Sequence, residues 1–346
     1  MFSISAGESL VLASARWNRI RFGASQGARS RDEETVQVRT VLGHIAGQTR
    51  GFIDLHQDML SGVARLEGGF PDYGTSFLAG PSSATAVWSS LFPDGSESSL
   101  LSQLAAHHEL LGSHNGSLRL ISNVEDLDSH DQRTGVLPHS EGFHLPGIGT
   151  DALDLLWAEH SLRSLALTWN HETAYGFSCY GDGAARLKPA GRELVRALQH
   201  SPLLLDLAHL NDAGFYDALD EYAPPILVTH TFCRAISDHP RGLDDDQLRA
   251  LGDHGGLVGL AFDPDFLGQG TVDEALFHIE RIASLAGEDA VSIGSDWGVA
   301  AMGELGSPEA LGGLVDAVSR SYGPELAEKF AYDNAYDFLR DQLPAA

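Results

Sequence analysis

Cysteine is almost missing from this chain: Cys179 and Cys233 are the only two in 346 residues, far apart and with no CxxC pair. That excludes a disulfide framework and a cysteine zinc site, and it fits a reducing cytoplasm. Basic residues are also scarce, 22 Lys and Arg against 48 Asp and Glu, for a net charge of −26. So acidic a surface disfavours nucleic acid and anionic membranes as partners and favours solubility. No apolar run approaches the roughly 18 residues that a membrane span requires. There is no G-x-S-x-G, no P-loop and no G-x-G-x-x-G, which leaves a serine nucleophile elbow and nucleotide cofactors without sequence support.

What is present is enough apolar sequence, 43% of the chain, for a large core, at a length that suits one β/α barrel or two medium domains. The first 31 residues stand apart, with Arg16, Arg19, Arg21, Arg29 and Arg31 against the single acid Glu8. We read 1–31 as a flexible N-terminal extension without the apolar core and cleavage site of a secretory signal. A helix is expected over 32–49, where DEE opens a run of Val36, Val38, Val41, Leu42 and Ile45. Residues 32–346 are then one domain.

The centre of the pattern is LLLDLAHLNDAGFYDALDEYAPPILVTH. Two short apolar runs, Leu203–Leu207 and Ile226–Val228, end just before His209 and His230, with helix-like sequence between them. This is a βαβ unit with an imidazole at both strand ends, and in a parallel barrel such ends share one rim. Further strands are expected at Phe52–Leu55, Thr85–Phe92, Gly135–Pro138, Ser164–Thr168, Gly256–Phe262 and Ala290–Gly294. Helices are expected at Leu101–Leu111, whose His107 and His108 read as surface residues, and at Ala152–His160, Lys188–His200, Leu243–Gly255, Val272–Ala286, Pro308–Ser321 and Pro324–Leu339. Eight strands alternating with helices make a single (β/α)8 TIM barrel the economical fold.

Several strand ends carry ligand-type side chains. His56 and Asp58 are two apart after the first strand, and on extended chain both point the same way and can grip one ion. Glu141 follows the third strand, where a carboxylate can bridge two ions, and Asp296 ends the eighth. With His209 and His230 these are six N/O ligands without sulfur, a set that suits two divalent ions, zinc before manganese or iron. The fourth strand delivers Trp169 and His171 to the same rim as candidate pocket residues.

These stretches resemble, in order, the motifs of the membrane dipeptidase (renal dipeptidase-like) family, peptidase family M19, within the amidohydrolase superfamily. FIDLHQDML is similar to the family's DGHNDLP entry, HSEGFH to its V-E-G-G-H segment, and LLLDLAHLNDAGFYDAL to its IDLSHVS motif. PPILVTHTFCRAISDHPRGLDDDQL resembles its PVIFSHSSARA…HPRNVPDD stretch, VSIGSDWG its GIGGDFDG strand, and FAYDNAYDFL its closing helix. The resemblance runs from about Gly51 to the end. It implies a zinc-dependent dipeptidase that cleaves short free-carboxylate dipeptides by a metal-bridged hydroxide and allows a homodimer. His56 and Asp58 would hold one zinc, His209 and His230 the other, and Glu141 would bridge them. Asp296 would handle the proton of the bridging water, whose pKa two ions lower from ~15.7 toward ~7.

The same resemblance gives Arg241 the substrate's terminal carboxylate, which a guanidinium can hold through two parallel hydrogen bonds. The alternative for Arg241 is a surface pair with one of Asp244–Asp246. Two departures bear on the substrate. Trp169 stands where the family commonly has a substrate-contacting histidine, with His171 two further on, and Phe143 replaces a glycine after Glu141. Hydrolysis of another small amide or lactone is therefore the alternative activity.

Overall fold

The computed structural model describes residues 51–58, 84–91, 93, 97–129, 133–143, 150–298 and 303–346. The expected extension over 1–31 and the helix over 32–49 lie outside the described residues. The strands are Phe52–Gln57 (β1), Ala84–Leu91 (β2), Leu118–Leu120 (β3), Thr134–Ser140 (β4), Ser164–Ala166 (β5), Leu204–Asp206 (β6), Leu227–Thr231 (β7), Leu257–Leu260 (β8) and Val291–Ile293 (β9). All neighbouring pairs are parallel in the order β2-β1-β9-β8-β7-β6-β5-β4-β3. A further parallel pairing of β2 with β4, from Ala86↔Gly135 to Leu91↔Ser140, closes eight of them into a barrel.

The strand that sequence pattern did not announce is β3. It lies outside the ring and pairs with Thr134–Val136 at the start of β4, below the point where β5 takes His139 and Ser140. Three residues, Leu-Arg-Leu, are too few to show a period.

The helices are Glu97–Ser113 (α1), Val124–Leu127 (α2), Thr150–Ala158 (α3), Pro189–Leu198 (α4), Asp212–Glu221 (α5), Asp245–Asp253 (α6), Pro264–Leu267 (α7), Val272–Ala286 (α8), Pro308–Tyr322 (α9), Pro324–Glu328 (α10) and Asn334–Gln342 (α11), the last two joined by a π-helical turn. Their ends follow local chemistry. Pro189 opens α4. Asp244 with Gln247 and Thr271 with Glu274 form reciprocal caps on α6 and α8. Gly255, at φ +67°, turns the chain after α6 in a conformation that side chains resist. None of the described helices is long and apolar enough to cross a membrane.

Along β4 and β6 the residues on one face change character from base to rim, as the two-residue strand period allows. Leu137 and Leu204 belong to an apolar cluster near the strand starts, with Leu227, Leu257 and, from α11, Ala335 and Leu339. Above them come His139 on β4, Glu141 directly after it, and Asp206 on β6, all buried. The apolar base supplies stability, about 1.5–3 kcal/mol per buried leucine, while the rim carries chemistry. His107, expected at the surface, is instead fully buried; it follows Leu104 by three residues and precedes Leu110 by three, on the inward face of α1. Its neighbour His108 is exposed as expected and bonds Ser161 Oγ at 2.9 Å.

Candidate metal centre

Five strand ends bring the expected ligands to one place. Glu141 Oε1 lies 3.1 Å from His209 Nε2 and 3.1 Å from His230 Nε2, which are themselves 3.0 Å apart. His56 Nε2 is 3.6 Å from the same oxygen and 3.7 Å from both Asp58 Oδ1 and Asp296 Oδ1. Two ligand groups can be drawn from these atoms, one of His56, Glu141 and His230, the other of His56, Asp58 and Asp296. All six residues are buried.

The barrel underneath holds these atoms through two carboxylates that sequence reasoning passed over. Asp54 accepts hydrogen bonds from Ser295 N (2.8 Å), Ser295 Oγ (2.5 Å), Gln57 Nε2 (2.8 Å) and His56 N (3.2 Å), and so latches the end of β1 to that of β9. Asp206 accepts from Thr229 Oγ1 (2.6 Å), Thr229 N (3.0 Å) and Ala208 N (2.9 Å), latching β6 to β7. His139 Nε2 also lies 3.2 Å from Asp206, out of line for a strong hydrogen bond. Burial alone would raise Asp206, but its contacts with His139 and Thr229 and the Ala208 amide hold it below the usual carboxylate range.

The outer nitrogens of two imidazoles are occupied. Thr229 Oγ1 gives its hydrogen to Asp206, so its lone pair meets His230 Nδ1 at 2.9 Å. Asn170 Oδ1 lies 3.1 Å from His209 Nδ1. Both contacts favour the tautomer that leaves Nε2 as a free lone pair toward Glu141, the arrangement that metal-ligating histidines use. Asn170 sits between Trp169 and His171, the two residues that sequence reading selected. Trp169 is half-buried and His171 exposed, their rings edge to face at 6.2 Å.

Two residues at the rim adopt left-handed backbone without being glycine, His209 at φ +64° and Asp296 at φ +64°. Such strain costs of order 1–3 kcal/mol and persists only where surroundings enforce it. Here the His209 carbonyl accepts Cys179 N at 2.8 Å, and Asp296 N bonds the His56 carbonyl at 3.1 Å.

Electrostatics agree with a site built for cations. Burial, then the neighbouring carboxylates, push Asp58 and Glu141 well above their ordinary values, and burial pushes Asp296 up to about 7 against the pull of Arg241. Burial likewise pushes His56, His209 and His230 well below the usual imidazole range, so they are neutral lone-pair donors. Both oxygens of Asp58 and Oε1 of Glu141 are buried without a hydrogen-bond partner. Orphaned carboxylate oxygens among neutral imidazoles are what a divalent ion satisfies, and the N/O donor set fits zinc or manganese.

Arg241 lies beside this cluster. It is 3% exposed, donates Nη2 to the His230 carbonyl at 2.8 Å, and has its Nε buried without a partner. The acids that could have drawn it outward are engaged elsewhere: Asp244 caps α6, Asp245 pairs with Arg281 at 2.5 Å, and Asp246 with Arg249 at 2.7 Å.

A family model described as membrane dipeptidase (peptidase family M19) matches residues 77–342. The chain belongs to that family. The matched stretch contains Glu141, His209, His230, Arg241 and Asp296, while His56 and Asp58 precede it. An uncharacterised protein encoded 5′ of pqqA in Klebsiella pneumoniae is 30% identical over 260 residues, 70% of this chain and 95% of that relative. Dipeptidase tcpJ of Claviceps purpurea is 26% identical over 218 residues, 58% of this chain and 49% of its own length. The chain thus spans about half the length of that dipeptidase-named relative, as it does for an uncharacterised dipeptidase of Schizosaccharomyces pombe, 26% identical over 211 residues, 57% of this chain and 50% of the relative. Among solved structures, dipeptidase AC, a family M19 metallopeptidase, superposes with a TM-score of 0.74 at 24% identity, over 86% of this chain and 100% of that one. A Rhodobacter sphaeroides metallopeptidase bound to a phosphinate mimic of L-Ala-D-Ala gives 0.71 at 23% identity, with the same coverages of 86% and 100%. Both likenesses establish the M19 barrel as the fold of this chain.

Proposed function

We propose that this M19 chain is a two-metal, zinc-dependent dipeptidase acting on short dipeptides with a free terminal carboxylate. The observation that carries this reading is the convergence of His56, His209 and His230, from three strands, on one buried oxygen of Glu141. In it His56 and Asp58 would hold one ion and His209 and His230 the other, with Glu141 shared between them. Ions held there would acidify an attacking water and polarise the scissile carbonyl. Asp296, whose carboxylate faces His56 across the same cluster, takes the water's proton and returns it to the leaving amine. Arg241 holds the substrate carboxylate through its guanidinium fork. Trp169 and His171 line the approach. Dipeptidase-named relatives support the reaction class. Two unbonded cysteines support a reducing cytoplasm as the working compartment.

One observation favours a second reading, hydrolysis of another small amide or lactone: half-buried Trp169 occupies the place of the family's substrate histidine and narrows what can enter. Both are tested by elemental analysis of the purified protein and a screen of dipeptides, N-acyl amino acids and lactones, with chelator and with restored zinc. The dipeptidase reading requires about two divalent ions per chain and chelator-sensitive cleavage of dipeptides. Trace metal only, or turnover indifferent to chelator, sinks it.

A further inference from the structure

Three strand-end loops place aromatic rings against one another beside Arg241. Tyr180, on the loop after β5, is 50% exposed and meets His239 edge to face with ring centroids 5.7 Å apart. His239, on the loop after β7, accepts the backbone N–H of Arg241 on its Nδ1 at 3.2 Å. Phe266, from α7 after β8, lies 5.6 Å from His239 and is stacked at 4.8 Å and 17° on the fully buried Phe232. The base of this wall is therefore packed into the protein, while Tyr180 is half exposed and His239 and Phe266 are partly so.

The wall adjoins the metal-ligand cluster through two links. Cys179, directly before Tyr180, donates its backbone N–H to the His209 carbonyl at 2.8 Å. The Arg241 charge also bears on both sides, on Glu141, Asp296 and His209 toward the cluster and on Tyr180 and His239 toward the wall. Arg241 thus stands between the candidate hydrolytic centre and a half-exposed aromatic surface.

Peptide geometry turns that arrangement into a selectivity. In a dipeptide, the terminal carboxylate and the scissile amide flank a single α-carbon. Fixing the carboxylate on Arg241 and the amide over the Glu141 cluster leaves the C-terminal side chain to project from between them, beside the rings. We propose that Tyr180, His239 and Phe266 form a subsite for the C-terminal side chain of the substrate, and that the preferred substrates carry an aromatic residue there. This rests on the dipeptidase reading and adds the substrate class. Ring-on-ring contact favours offset and edge-to-face partners, and an aromatic ring brings more apolar area out of water than a methyl group. His239 is held to the Arg241 backbone, so carboxylate capture and ring capture are parts of one loop.

The test is a matched series on the zinc-loaded protein, Ala-Ala, Ala-Leu and Ala-Phe with L and D forms of the second residue, read as kcat/KM. Ala-Phe of one configuration should exceed Ala-Ala of that configuration by about tenfold or more, the scale on which apolar pockets discriminate. Tyr180→Ala and Phe266→Ala, each checked for an unchanged melting temperature, should bring that ratio below about threefold, and Tyr180→Phe should keep it. A wild-type ratio near one, or a ratio that survives both alanine substitutions, overturns the subsite.

Failure of the dipeptidase reading is separated by a binding arm that needs no turnover. By calorimetry, N-acetylphenylalanine should bind at least tenfold more tightly than N-acetylalanine, and Tyr180→Ala should erase the difference. If no dipeptide is cleaved but this difference is found, the activity is wrong and the subsite stands. Equal binding of the two ligands overturns the subsite whatever the enzyme cleaves.

Discussion

Asn170 Oδ1 lies 3.1 Å from Nδ1 of His209, across 39 residues of chain, and gives the imidazole a fixed orientation at a strained strand end. Outer partners of this kind are worth roughly 10–100-fold in metal affinity. Asn170→Ala should therefore weaken zinc binding by about that factor, measured by competition with a chromophoric chelator, while Asn170→Asp, which keeps an acceptor in place, should lose much less. Equal affinity in wild type and the alanine variant would leave the contact without a role in holding metal.

That contact also marks where sequence reading stopped. His56, Asp58, Glu141, His209, His230 and Asp296 were legible because each follows an apolar run short enough to be a strand, and parallel strands in a barrel end on one rim. Trp169 and His171 drew notice by residue type, yet the intervening Asn170 reaches His209, because the direction a loop side chain takes is set by backbone bonds such as Ser178 Oγ to the Asn170 carbonyl, at 3.1 Å. Asp54 and Asp206 were hidden differently. Each is one carboxylate inside an apolar run, and only the neighbouring strand shows what it latches. The left-handed backbone of His209 and Asp296 had no signal at all, since neither is glycine. His107 could have been read correctly: its spacing from Leu104 and Leu110 puts it on their face, against the prior that histidines of a His-His pair are exposed.

Gly259 in β8 and Gly294, directly after the paired strand β9, lie close together beside the Thr229 carbonyl of β7. A Cβ on Gly294 would stand 2.0 Å from the Thr229 carbonyl oxygen and 2.9 Å from Gly259 Cα, both backbone atoms that cannot swing aside. Gly294→Ala should cost about 3 kcal/mol in denaturant unfolding, at the upper end of overpacking penalties, and lower metal content because β7 carries His230. Gly313→Ala, on α9 with nothing within 4 Å of the new methyl, should instead raise stability by up to ~1 kcal/mol. Similar midpoints for the two variants would contradict the packing described for the barrel interior.

Burial lowers His107 to about 3, and neither ring nitrogen has a hydrogen-bond partner. The unfolded chain takes up a proton near pH 6.5 while the folded chain resists it, so the stability linked to this group is fully present above about 6.5 and lost as pH falls toward 3. At pH 5 the loss is about 2 kcal/mol. His107→Leu should remove this share of the acid sensitivity, so that the variant gains on the wild type as pH drops from 7 to 5. Parallel stability-versus-pH curves for the two proteins would show that His107 is protonated equally in both states.

Arg241 offers the sharpest test of substrate recognition. With 3% exposure, Nη2 on the His230 carbonyl at 2.8 Å and a buried, unpartnered Nε, its guanidinium has been taken out of water without an ion pair to a carboxylate among the described residues, although its charge bears on Glu141 and Asp296. A buried cation in that condition is costly unless a ligand supplies the anion, and a planar fork matches a terminal carboxylate. Arg241→Ala should leave both metals bound, as elemental analysis would report, and cost roughly 2–4 kcal/mol in kcat/KM for free-acid dipeptides. Amidated dipeptides, which lack the anion, should lose far less. Arg241→Lys should recover only part of the activity, because an ammonium cannot form two parallel bonds in one plane. If metal content falls along with activity, the bond to the His230 carbonyl is the function of Arg241, and its place is in the support of the strand end. If metal is retained and free-acid and amidated substrates lose equally, the carboxylate has another anchor, and weight passes to the amide or lactone hydrolase that Trp169 favours.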